Sequence, residues 1–273
     1  MANPWHIGNT TVRTPYRLRD ALIALVHSEY HGNLVGKDRE SGFARLLHEK
    51  EILKADRIDQ DYSQDFSDLG RKWRSALAQL GFVIQHLTRG HQKGIDPRYK
   101  DFIKEHPGFS GIPYEVTPSG INLINANTIP AQQECFLRVL VAYRIPSVFE
   151  TRYKLEQFSP LRHILEILIN LENKKVEPVI RFWEMAGLQL TSPENGYENI
   201  TDDILKYREE REKSDNKKRL DHEMRLKVTS GDKKRARTLI DYADLNIRYL
   251  KATGLFQSSG RGITIFPEKR GVG

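Results

Sequence analysis

The stretch KATGLFQSSGRGITIFPEK, Lys251–Lys269, carries the reading of the fold. Gly254 stops a helix, Leu255–Gln257 is extended, and Ser-Ser-Gly-Arg-Gly turns the chain back into Ile263–Phe266. Arg261 thus sits between two glycines at the tip of a small hairpin. Directly upstream, DKKRARTLIDYADLNIRYLKATG has helical periodicity, with Ala236, Leu239, Ile240, Ala243, Ile247 and Leu250 on one face. Lys234, Arg237, Thr238, Asp241, Tyr242, Arg248 and Tyr249 fall on the other side, with Lys233 at the start. A cationic helix followed by a glycine and a hairpin is the closing half of a winged helix-turn-helix. There the last helix enters a DNA groove and the hairpin touches the backbone beside it.

The same order occurs earlier. FSDLGRKWRSALAQLG places Leu69, Trp73, Ala76, Leu77 and Leu80 on one face. Arg71, Arg74, Ser75 and Ala78 lie on the far side, and Lys72 at the margin. Gly81 closes the helix, Phe82–Ile84 and Tyr114–Thr117 read as strands around a long loop, and PSGINLINA starts a further helix. ALAQLGFVIQ and YLKATGLFQS are a short internal echo of one another. Other helices are expected in TPYRLRDALIALVHSEYHG, SGFARLLHEKEIL, QQECFLRVLVAY, FSPLRHILEILINLENKK, VEPVIRFWEMAG and ITDDILKYREERE. IPSVFETRYKLEQFSP reads as a joint. The expected fold is mainly α with some α+β character. It comprises two winged-helix-like lobes with small hairpin wings, residues 1–155 and 156–273.

The chain has 273 residues and a net charge of +7, with 38% hydrophobic and 29% charged residues. Residues 206–237 hold 13 basic and 7 acidic side chains, an excess of six in one short segment. A mixed portion such as YREERE fits a solvated helix, whereas NKKR and DKKRAR favour a polyanion surface. No apolar run reaches the length of a bilayer span, and the first residues lack a signal-peptide core. The single cysteine, Cys135, makes no internal disulfide, so a cytoplasmic location is expected.

Signatures of chemistry are weak. GNLVGKD, Gly32–Asp38, is one residue short of a phosphate loop, and Asp38 stands where a hydroxyl must reach magnesium. His27 and His31 have the spacing of two metal ligands but no third acidic or thiol neighbour. The only Glu-x-Lys, Glu172-Asn173-Lys174, follows a helical stripe rather than a strand. No catalytic residue and no metal ligand is assigned.

Several stretches, in order, resemble the AlwI family of type IIS restriction endonucleases and related nicking enzymes. They are WHIGNTTVRTPYRLRDAL, GRKWRSALAQLGFV, PYEVTPSGINLINAN, VLVAYRIPS, RTLIDYADLNIRYLKATGLF and ITIFPEK. The resemblance implies a two-lobed region that recognises a short asymmetric duplex site. It also implies a separate C-terminal, magnesium-dependent PD-(D/E)xK nuclease domain. This sequence ends at PEKRGVG, about where the linker to that domain is expected. The expectation is therefore a recognition region needing no cofactor of its own, with magnesium belonging to a nuclease domain or subunit. Its partners are double-stranded DNA and that nuclease. The expected DNA contacts are Arg13, Arg17, Arg71, Lys72, Arg74 and Ser75 in the first lobe. Lys233, Lys234, Arg237, Thr238, Asp241, Tyr242, Arg248 and Arg261 are expected in the second. Two alternatives stand beside this: a winged-helix transcriptional regulator, and a complete endonuclease whose active site has no recognisable motif.

Overall fold

The computed structural model describes residues 3–84, 114–147 and 155–267. The long loop expected between the first pair of strands and the centre of the expected joint lie outside them. The described residues are mainly helical, with one two-stranded antiparallel hairpin. They divide into two compact units, Gly8–Val139 and Met1–Ile7 with Leu140–Gly273. The seven N-terminal residues therefore go with the C-terminal unit, which no local pattern in the sequence announces.

In the first unit, α1 (Arg17–Val26), α2 (Lys37–Glu49), α3 (Asp56–Gln60), α4 (Ser67–Gln79), α5 (Pro118–Asn125) and most of α6 (Ile129–Ala142) surround an aromatic core. Trp73, Phe43, Phe66, Phe82 and Phe136 are all buried there. Phe136 packs nearly perpendicular to the rings of Tyr16 and Phe82, with centroids 5.8 Å apart in each pair. The α4 stripe read from periodicity is buried as expected. The first helix ends at Val26, well before Gly32, and α2 begins four residues before Ser41. After α4, Val83 pairs antiparallel with Val116. The Thr117 side chain then accepts from Gly120 N at 3.2 Å to cap α5.

The second unit contains α7 (Pro160–Asn173), α8 (Phe182–Leu188), α9 (Tyr197–Lys213), α10 (Lys217–Val228) and α11 (Lys233–Lys251). The hairpin follows as β1 (Phe256–Ser259) and β2 (Gly262–Ile265). The expected helix over VEPVIRFWEMAG is shorter than its apolar pattern. Ile180 is extended and exchanges both backbone hydrogen bonds with Ile263 at 2.9 Å, so helix starts only at Phe182. A lone β-branched pair beside a proline is captured by a strand that arrives 83 positions later.

The internal echo becomes structural correspondence. In both units a helix ends, a glycine follows with φ near +70° (Gly81 +70°, Gly254 +72°), and a buried phenylalanine enters the strand. Each unit also buries one glutamate in the first turn of a helix that packs on the cationic one or near it. Glu40 of α2 is held by Arg74 of α4, and Glu184 of α8 by Arg208 of α9.

Candidate nucleic-acid interface

The hairpin tip explains its own sequence. Ser259 pairs with Gly262, leaving Gly260 and Arg261 as a two-residue turn. Gly260 adopts φ +55° while Arg261 does not, the pattern of a turn that fits the twist of a hairpin. Gly262 is required for a different reason: a Cβ there would lie 2.3 Å from the Ile180 carbonyl oxygen. The two glycines thus seat the hairpin tightly on Ile180 and leave Arg261 exposed, its guanidinium 4.2 Å from the centre of the Phe182 ring. Stacking on an aromatic face orders the arginine without neutralising it.

The helix before the hairpin starts abruptly. Asp232 accepts from the backbone N–H of Lys234 (2.9 Å) and Arg235 (3.0 Å), fixing the first turn of α11. That turn carries Lys233, Lys234 and Arg235 and no acidic residue. Cations at a helix N-terminus oppose the helix dipole and cost stability, so their clustering there is informative. They add to a field that already attracts anions.

The basic segment divides sharply by partner. Along α9 and α10 the cations are mostly paired: Arg208 with Glu184 (2.7 Å), Arg211 with Asp221 (3.0 Å), Lys213 with Glu209 (2.5 Å), Lys217 with Glu212 (3.0 Å) and Arg219 with Glu223 (2.7 Å). Around the turn into α11 they are not. The side chains of Lys227, Lys233, Lys234 and Arg237 are exposed and have no ion pair or hydrogen bond among the described residues. Lys206 and Lys218 are likewise exposed and without an ion pair or hydrogen bond among the described residues, so the corner gathers four of the unpaired cations rather than all of them.

Farther along α11 the outward side chains are engaged. Thr238 Oγ1 donates to the Lys234 carbonyl at 3.0 Å, Arg248 pairs with Asp244 at 2.8 Å, and Lys251 bonds Ser258 at 2.5 Å. Tyr242 is half-buried and stacks on His6 with centroids 4.2 Å apart. Asp241 is half-buried on the same helix. Tyr249, expected on the outward side, is instead fully buried, and burial pushes its hydroxyl far above the usual tyrosine range. The reason is that the second half of α11 is covered on two sides, which a single-stripe reading does not provide for.

In the first unit, Arg71 and Ser75 are exposed on α4 without side-chain partners among the described residues. Lys72 lies 3.5 Å from Asp68. Arg74 corrects the expectation: it is turned inward, donating Nε to Glu40 at 2.7 Å and Nη1 to the Tyr114 hydroxyl, with its guanidinium over the Tyr114 ring. A buried carboxylate one helix away claims it. Arg17 likewise donates to the Ile52 carbonyl at 2.9 Å, and Arg13 to the Thr10 carbonyl at 3.3 Å. The structure thus gathers Lys233, Lys234 and Arg237 at one corner, keeps Arg71 and Ser75 on another helix, and engages Arg17 and Arg74 within the first unit.

The AlwI restriction endonuclease family matches residues 78–272, from the last turn of α4 through the hairpin and beyond. The chain belongs to this family. A comparison with curated proteins gives no match. For a restriction endonuclease family the seat of a metal matters. Among the described residues no three His, Cys, Asp or Glu side chains converge in a set that could hold one. The Glu172–Lys174 segment is a helix end, with Lys174 paired to Asp202 at 2.7 Å. His31 Nε2 accepts from the Val116 backbone N–H at 3.2 Å, which gives one member of the histidine pair a structural partner. No helix among the described residues is long and apolar enough to cross a membrane.

Sequence reasoning missed Phe182, the platform under Arg261, and Lys227, the fourth free cation of that corner. It also missed both buried glutamates. Glu40 and Glu184 each lie in a first helical turn, where an acidic residue is ordinary, so nothing in the local pattern marks them as buried.

Proposed function

We propose that this member of the AlwI restriction endonuclease family is the DNA-recognition region of a type IIS restriction or nicking endonuclease. In this reading it binds a short asymmetric duplex site through two winged-helix units. The cluster that carries the reading is Lys227, Lys233, Lys234 and Arg237, four unneutralised cations at one helix-turn-helix corner of a unit whose hairpin presents an exposed arginine stacked on Phe182. The first two turns of α11 enter the major groove, where Arg237 is the residue with the donors to read guanine. Lys227, Lys233 and Arg261 hold phosphates. In the first unit, Arg71 and Ser75 form the corresponding contact surface. Lys72, Thr238, Asp241 and Arg248 are flanking contacts, and Arg13 a phosphate contact. Cutting, with its magnesium, belongs to a separate nuclease domain or subunit.

Selection from a randomised duplex pool tests the reading. Enrichment of one asymmetric site is expected, bound with an affinity that falls on the order of 10³–10⁵-fold between 50 and 200 mM salt if about six to ten phosphates are contacted. Recovery of no preferred sequence, or a salt-insensitive complex, contradicts it. Conversion of supercoiled plasmid to nicked or linear form by this chain with magnesium would instead give it its own active site.

A further inference from the structure

Residues Trp5–Ile7 lie 180 to 240 positions from their neighbours in sequence, yet all three are buried in the second unit. On one side they are fixed to the end of α8. Trp5 N donates to the Gln189 carbonyl at 2.9 Å, and its indole Nε1 donates to the Thr191 carbonyl at 2.9 Å. On the other side they are fixed to α11. The Asn246 side chain, fully buried, accepts from Ile7 N at 2.9 Å and donates to the Trp5 carbonyl at 3.4 Å. His6, between these anchors, stacks on Tyr242. A fifth hydrogen bond closes the ring: Gln189 Nε2 donates to the Leu239 carbonyl of α11 at 2.6 Å.

We propose that this segment is a splint that sets the rotation of α11 about its own axis, with Asn246 as the positioning residue. The inference rests on the DNA reading above and deepens it. α11 has 19 residues, about 28 Å of helix. Its core stripe of Ala236, Leu239, Ala243, Ile247 and Leu250 is mostly small or aliphatic, and apolar packing alone is non-directional. One residue turns a helix by about 100°, so a modest roll exchanges Arg237 for a neighbour at the groove. Hydrogen bonds from a buried amide have direction. Asn246 reads both a donor and an acceptor of the strap, which only one rotation of α11 satisfies. Gln189 and Asn246 grip the helix at two heights, and Trp5 joins the two grips.

The splint predicts a loss of discrimination rather than of general affinity. Asn246→Leu keeps volume and removes both directional bonds, and Trp5→Phe keeps an aromatic ring and removes the bond to Thr191. The probes are the duplex recovered by selection, its single-base variants, and a duplex of random sequence at low salt. For either variant that melts above the assay temperature, discrimination is expected to fall about five- to tenfold, with random-duplex binding unchanged within about twofold. Should Asn246→Leu fail to fold, Trp5→Phe alone carries the same two outcomes. Unchanged discrimination in the folded variants overturns the splint, as does an equal loss on specific and random duplexes. Failure to recover any preferred duplex from the wild-type chain is a different result, and sinks the DNA reading itself.

Discussion

Removing Arg74 separates a structural cation from a reading one. Glu40 and Arg74 side chains are 9% and 21% exposed, with nitrogen–oxygen distances of 2.6–2.7 Å. Truncation to alanine strands the buried Glu40 carboxylate and removes the donor to the Tyr114 hydroxyl. Breaking a buried pair in this way typically costs about 3–5 kcal/mol. Glu40 keeps some help from the N-terminal end of its own helix, so the lower end, about 3 kcal/mol, is expected. For a unit of this size that corresponds to roughly 10 °C in melting temperature, read by thermal unfolding of the whole chain. Arg71→Ala, one turn away and exposed, is expected to shift the melting temperature by no more than about 1 °C. Adding Glu40→Gln to Arg74→Ala is expected to recover part of the loss, because the stranded charge disappears. If Arg74→Ala melts like the wild type and only duplex binding suffers, the buried-clamp argument is wrong and Arg74 is a DNA contact after all.

Three further outcomes follow from the same geometry. His163 is fully buried; Thr191 Oγ1 donates to Leu188 O (2.8 Å) and therefore accepts from Nε2–H (3.0 Å), leaving Nδ1 without a partner, and burial lowers the pKa to about 4. The folded value lies below the unfolded 6.5, so the unfolded chain takes up the proton first. Roughly 3 kcal/mol of stability present above pH 6.5 is lost as pH falls towards 4, and His163→Gln should flatten that slope in urea unfolding. Gly262→Ala is expected to cost about 2 kcal/mol or more and to weaken duplex binding, because its Cβ would meet the Ile180 oxygen at 2.3 Å; an unperturbed melt would refute the seating of the hairpin. Lys233→Ala should reduce the slope of log affinity against log salt by about one, equally for every duplex sequence; a change confined to one base position would make it a base reader.

How much of this was legible in advance depended on whether a residue's partner lay nearby in the chain. The stripe of α4, most of the stripe of α11 (Ile240 is only half-buried) and the hairpin turn rest on neighbours within a few residues, and these are found as read. Arg74 and Arg71 look alike in periodicity, and only the distant Glu40 distinguishes them. Ile180 reads as the start of an apolar helix until Ile263 captures it. Tyr249 and Asn246 fall beside or opposite the core stripe, and they are buried because other chain segments cover that flank of α11, the N-terminal strap among them. The basic run showed its charge but not its division, since which lysines find a carboxylate depends on side-chain geometry at three and four residues' spacing.

The most direct test sets two triple variants of equal charge change against one another. Lys233→Ala/Lys234→Ala/Arg237→Ala removes cations without partners at the corner, whereas Lys213→Ala/Lys217→Ala/Arg219→Ala removes cations already paired with glutamates. Measured on the selected duplex at constant salt, the first is expected to lose about 100-fold or more in affinity and the second no more than about threefold. Equal losses would mean that DNA responds to the overall charge of the segment, and the recognition corner would have no special standing.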